Sequence, residues 1–236
     1  GQDDQAVFWG EQATKKSGQY LPEIHWTTGL AFWRMGKLEQ AAVHFEQVAK
    51  SEYASRWLQS AGAFWAGRSH IRMRQARPAI QSFRTIVDAL EGGDVETDDE
   101  DRVKDLAYLS LARVYYTAAN KVDDETGERE VDGKLLGAAV DAWSRIDTGS
   151  EYWLDALFEG SFAFFLADEF SRSLGNIHTI FSPYFEKTAY YPEALVLKAV
   201  VFFYNCQMDN ASAMVTKFHD RYDPVKVELD KKLGEF

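Results

Sequence analysis

The sequence predicts an all-α fold, an α-solenoid of about five antiparallel helix pairs with further helices at its termini. Three observations carry this. A small–large–apolar triplet with internal spacing of four then three recurs as Ala41, Phe45, Val48; Ala79, Phe83, Ile86; Ala139, Trp143, Ile146; Ser173, Ile177, Ile180; and Ala211, Val215, Phe218. In three copies a small residue stands twelve positions upstream, at Gly29, Gly67 and Ala199. Strand-type alternation is scarce, and each of the five prolines falls near an inferred helix boundary. A repeated helix pair has no core of its own, so its neighbours must supply one. The chain of 236 residues therefore reads as one helical-repeat domain over 1–236. Its function is to be sought on a binding surface.

The elements follow in order. A first helix covers Asp4 to Lys16 and ends near Gly18. Pro22 opens the first pair, with helices over Pro22–Met35 and Leu38–Lys50, the whole pair spanning 22–53. The second pair spans 55–91, with helices over Ser55–Met73 and Ala76–Glu91. Pro78 stands in the first turn of its second helix, where a missing N–H costs little. Residues Glu91 to Asp101 hold two glycines and seven acids and read as a solvated loop. The third pair spans 102–149. Ala112 to Ala139 is 27 residues where other copies have 12, so about 15 are inserted between its helices. This polar insert, around 122–133, fits either a small hairpin or a mobile loop. The fourth pair spans 152–182, and its first helix is apolar nearly all round, which implies burial on more than one side. The fifth spans 192–222. Pro224 then starts a capping helix over Val225–Leu233, or the first half of a truncated repeat.

Composition narrows the function. Apolar residues make up 46% and aromatics 14%, ample for a packed interior. The net charge of −11 argues against nucleic acid and anionic membranes as partners, since both want a basic surface. No apolar run approaches the roughly 18 residues of a membrane span; the longest, Ala194 to Tyr204, is interrupted by Lys198. The chain opens at Gly1 without a methionine or a charged-then-apolar leader, which reads as a processed or trimmed product.

Signatures of chemistry are lacking. His25, His44, His70, His178 and His219 form no zinc-type pair and read as boundary or packing residues. The single cysteine, Cys206, falls near the end of a helix where a small residue belongs, so it reads as packing rather than as a reactive thiol. The acidic stretches Asp94–Asp101 and Asp123–Asp132 lack calcium-loop spacing. No phosphate loop, nucleophile elbow or dinucleotide fingerprint occurs. The expectation is a protein that is not an enzyme and needs no cofactor or metal.

The spacing resembles the tetratricopeptide repeat, whose period is about 34 residues. The matches are Gly29, Phe32, Ala41, Phe45 and Val48; Gly67, His70, Ala79, Phe83 and Ile86; Ala112, Tyr115, Ala139, Trp143 and Ile146; Gly160, Ser173, Ile177 and Ile180; and Ala199, Phe202, Ala211, Val215 and Phe218, with Pro224 just beyond. The resemblance covers roughly residues 22 to 224 and implies a right-handed superhelix. The phrase Ala63–Phe64–Trp65–Ala66–Gly67–Arg68 is also similar to helical-repeat segments of bacterial cell-wall lytic enzymes, and the style of repeat to envelope assembly and gliding-motility proteins. This implies a multiprotein envelope complex and a periplasmic or outer-membrane-associated setting over a cytoplasmic one.

In that repeat family one face of each first helix lines a concave surface. The resemblance puts Trp26, Leu30, Trp33 and Arg34 on it from the first pair, and Phe64, Arg68, Ile71 and Arg72 from the second. The third supplies Leu109, Arg113 and Tyr116, the fourth Leu157, Phe164 and Phe165, and the fifth Val200, Phe203 and Tyr204. Arginine beside aromatics suits a carboxylate-bearing peptide, because the guanidinium fork binds carboxylate while rings bury apolar groups. The competing expectation is that the aromatics bury one another and the arginines pair with internal acids. The implied partner is a protein or peptide bound by a non-enzymatic scaffold; the other reading is a helper domain of a peptidoglycan enzyme.

Overall fold

Gly29 and Gly67 set how closely the helices pair. A Cβ on Gly29 would stand 2.9 Å from the Phe45 ring, and one on Gly67 2.7 Å from the Phe83 ring. Both rings are fully buried. The small residue of one helix makes the hollow that the large residue of the next fills, which is the physical content of the recurring triplet.

The computed structural model describes residues 1–15, 18–91, 98–122, 126–127, 129–185 and 189–234. The fold is all-α, and the chain divides into two compact units, Gly1–Tyr152 and Trp153–Phe236. The first unit holds α1 (Gln2–Ala13), α2 (Leu21–Arg34), α3 (Leu38–Ala49), α4 (Arg56–Arg72), α5 (Ala76–Glu91), α6 (Asp98–Ala119) and α7 (Gly133–Ser144). Each helix packs on the next, and α4 also meets α6. Ser55 caps α4 by accepting the Leu58 N–H, and Asp132 caps α7 by accepting those of Lys134 and Leu135.

The insert forms a hairpin. Strands β1 (Asn120–Val122) and β2 (Arg129–Val131) pair antiparallel, with Lys121 opposite Glu130. Residues 123–125 and 128 lie outside the described residues, as do 92–97 of the expected acidic loop, Asp94 among them.

The second unit holds α8 (Trp153–Leu166), α9 (Phe170–Ile180), α10 (Pro192–Tyr204) and α11 (Met208–Leu233). Its core gathers Ile177, Ala194, Leu197 and Val201, ringed by Phe158, Phe162 and Phe165. Ser173, at a position that is alanine in the other triplets, donates to the Ser161 carbonyl at 2.9 Å, so its buried hydroxyl is satisfied. One expectation is corrected: the segment after Pro224 is not a separate capping helix, because α11 runs through the proline as 26 continuous residues. The segment 225–233 is exposed throughout, and among the described residues no neighbouring element covers it.

Four of the pairs turn in the same way. Gly36, Arg74, Asp168 and Cys206 all have left-handed φ, from +56° to +74°. After each, an N–H reaches back five residues: Lys37 to Phe32 O at 2.9 Å, Gln75 to His70 O at 2.9 Å, Glu169 to Phe164 O at 2.8 Å, and Gln207 to Phe202 O at 2.9 Å. This is the Schellman closure, which satisfies helix-end carbonyls. Cys206 is thus corrected from a packing residue to an exposed turn residue.

Candidate functional site

The helix period places Trp65, Arg68 and Arg72 of α4 on one face, and α2 ends with Trp33 facing them. Trp33 and Trp65 meet edge to face with centroids 5.2 Å apart. Behind them Trp26 lies 5.6 Å from Phe45 and 6.3 Å from Trp65. The Arg68 guanidinium carbon sits 4.6 Å from the Trp65 ring, 5.4 Å from Trp33 and 5.9 Å from Phe64, and that of Arg72 sits 4.8 Å from Trp33. Stacking on π faces fixes both cations while leaving their N–H edges outward. Both arginines are exposed, and among the described residues neither has a carboxylate within ion-pair reach.

The structure places the other expected face residues of the first two pairs beneath or beside this cluster. Leu30 and Trp26 pack against the core of α2, α3 and α4. Arg34 turns to α1 instead, where its Nε and Nη2 donate to Asp3 at 2.9 and 2.6 Å. Ile71 is exposed on the flank of α4, and Phe64 leans 5.7 Å from Phe83. In the third pair Leu109 is buried, Tyr116 packs 5.8 Å from Trp143 of α7, and Arg113 is exposed.

In the second unit Phe164 is corrected to an interior residue, only 8% exposed, with the Arg172 guanidinium 4.0 Å above its ring. The other rings of its helix, Trp153, Phe158, Phe162 and Phe165, are half-buried. Phe165 lies 5.3 Å from Tyr204. Phe203 and Tyr204 are exposed. Phe203 lines an open groove of about 380 Å³ between α10 and α11, whose other walls are Leu195, Val196, Ala199, Val200, Ala211, Met214, Val215 and Phe218. Sequence reasoning put Phe203 and Val200 on an inner face, but missed the α11 wall.

The sequence also hid a histidine pair. The Nδ1 atoms of His25 and His44 stand 2.9 Å apart, sharing one hydrogen bond between α2 and α3. Burial lowers both, and His44 falls to about 4 with His25 adding repulsion. His70 bonds Gln75 at 2.9 Å and Glu46 at 3.1 Å. A polar cavity of about 510 Å³ between Asp101 and Glu151 has much of its charge paired internally, as Arg102 with Glu151 and Lys104 with Asp101. Among the described residues no group of three or more His, Cys, Asp or Glu suits a metal, and no helix is long and apolar enough to cross a membrane.

No protein-family model matches the sequence, and no curated protein matches it either. Solved structures do. The crystal structure of MamA superposes with a TM-score of 0.64 at 14% identity, covering 86% of this chain and 93% of that one. BtubC (BKLC) from P. vanneervenii gives 0.60 at 10% identity, covering 97% and 90%. TTC0263, a thermophilic TPR protein of Thermus thermophilus, gives 0.45 at 16% identity, covering 91% and 97%.

The chain has a tetratricopeptide-like repeat fold. At such identities the likeness is one of fold. Within this tetratricopeptide-like frame, Trp33 closes the first pair's leading helix and Trp65, Arg68 and Arg72 ride the second pair's, so the cluster is built from consecutive repeats.

Proposed function

We propose that this tetratricopeptide-like chain is a non-enzymatic protein-interaction scaffold, and that Trp33, Trp65, Arg68 and Arg72 bind an acidic segment of a protein partner. The observation that carries the reading is the pair of exposed arginines. In a chain of net charge −11, two cations lie over the Trp33 ring, and among the described residues neither has a carboxylate within ion-pair reach. A partner's carboxylates supply the missing acceptors, and the tryptophan faces bury its apolar neighbours. Leu30, Trp26 and Phe64 act beneath as the rigid support of the contact.

The experiment is affinity capture from native extract with mass spectrometry, comparing the chain with an Arg68→Glu/Arg72→Glu variant. Partners retained by the first are expected to fall at least tenfold on the second. Unchanged capture overturns the arginine site. The likeness of Ala63–Arg68 to segments of cell-wall lytic enzymes supports a bacterial envelope assembly as the setting. The same phrase favours a second reading, a helper domain of a peptidoglycan enzyme, with tryptophan faces stacking on sugar. Absence of binding to purified peptidoglycan fragments at about millimolar concentration removes it.

A further inference from the structure

The last triplet breaks a rule that the others keep. Its large residue, Val215, is 51% exposed, whereas Phe45, Phe83 and Ile177 at the same repeat position are fully buried. In the second unit α10 covers the α8–α9 pair through Ala194, Leu197 and Val201, but the corresponding side of the α10–α11 pair is the open apolar groove. A helix belongs there on packing grounds.

The same chain carries an apolar stripe of matching length. Beyond Pro224, α11 presents Val225, Leu229 and Leu233 at helical spacing, 40%, 53% and 72% exposed. Three such positions step about 12 Å along a helix, against about 10 Å from Val196 to Phe203 along the groove wall. Charge is compatible but small: within 225–233 Lys226, Lys231 and Lys232 stand against Glu228 and Asp230, with Lys232 paired to Glu228, and over 192–224 Glu193, Asp209, Asp220 and Asp223 stand against Lys198, Lys217 and Arg221. Because α11 is one continuous helix, its stripe cannot fold back onto its own groove.

We infer that the groove receives the 225–233 segment of a second copy of this chain. The exchange is two-fold symmetric, so each copy gives a stripe and accepts one, and both grooves and both stripes are covered at once. It requires no break at Pro224, which folding back within one chain would.

Sedimentation velocity of the full chain from about 1 to about 100 µM tests it. A monomer–dimer equilibrium is expected, and Leu229→Asp and Val215→Asp should each weaken it at least tenfold. Both side chains are exposed, so unchanged helical circular dichroism, and unchanged melting at about 1 µM where dissociation is favoured, serve as the folding control. A wild-type chain that stays monomeric at the highest concentration overturns the inference, as does a dimer that persists in both variants. Either result leaves the Trp33–Arg68–Arg72 reading untouched, since that cluster lies in the other unit.

Discussion

At the scale of single residues, the turns between paired helices hold stored strain. Gly36 meets its left-handed φ at no steric cost, while Arg74, Asp168 and Cys206 meet the same geometry with a Cβ. Arg74→Gly and Cys206→Gly are each expected to stabilise the fold by about 1 kcal/mol, and Gly36→Ala to destabilise it by a similar amount. Urea titration of the three variants measures this. Helix propensity and packing oppose each other at Gly67. Its added Cβ would meet a fully buried Phe83 ring, so Gly67→Ala costs about 1–3 kcal/mol despite alanine's better helix propensity. Gly67 was legible because a small residue recurs at that spacing from the triplet. Arg74 and Cys206 were not, because the turn is imposed by the packing of the helices on either side.

At the scale of elements, two contacts decide how helices stay together. Arg56 at the start of α4 holds Glu100 at the start of α6 through two bonds of 2.8 and 2.6 Å, with the Glu100 side chain only 6% exposed. Glu100 is buried while Arg56 is 31% exposed and can reach water, so Glu100→Ala is expected to lose about 1–3 kcal/mol, read from the denaturation midpoint. The His25–His44 contact makes the α2–α3 pairing sensitive to acid. The unfolded chain binds a proton on His44 near its ordinary 6.5, the folded chain only near 4. The stabilisation is therefore fully present above about 6.5 and is lost as pH falls toward 4. Melting temperature should drop across that window, and His44→Phe, beside the Phe32 ring at 5.4 Å, should flatten the dependence.

At the scale of the whole molecule, net charge sets two salt dependences of opposite sign. The proposed binding of carboxylates to Arg68 and Arg72 would be electrostatic and is expected to weaken as salt rises. The proposed self-association buries an apolar stripe, and the small opposite local charges count for less than the repulsion of two chains of charge −11, so it is expected to strengthen with salt. Titrating both processes with sodium chloride separates them without a mutation. The helix pairs, their register and the insert between Ala112 and Ala139 were readable at this scale, since each depends on residues a few turns apart. Gly29 and Gly67 were legible as the small positions twelve residues ahead of their triplets, because that spacing recurs between one helix and the next. That Phe164 is interior, that Arg34 turns to Asp3, that His25 meets His44 and that the groove between α10 and α11 stands open came from the packing of the folded chain. Each of these depends on which neighbour covers a given helix face, and one chain position carries no record of the atoms that approach it from another helix.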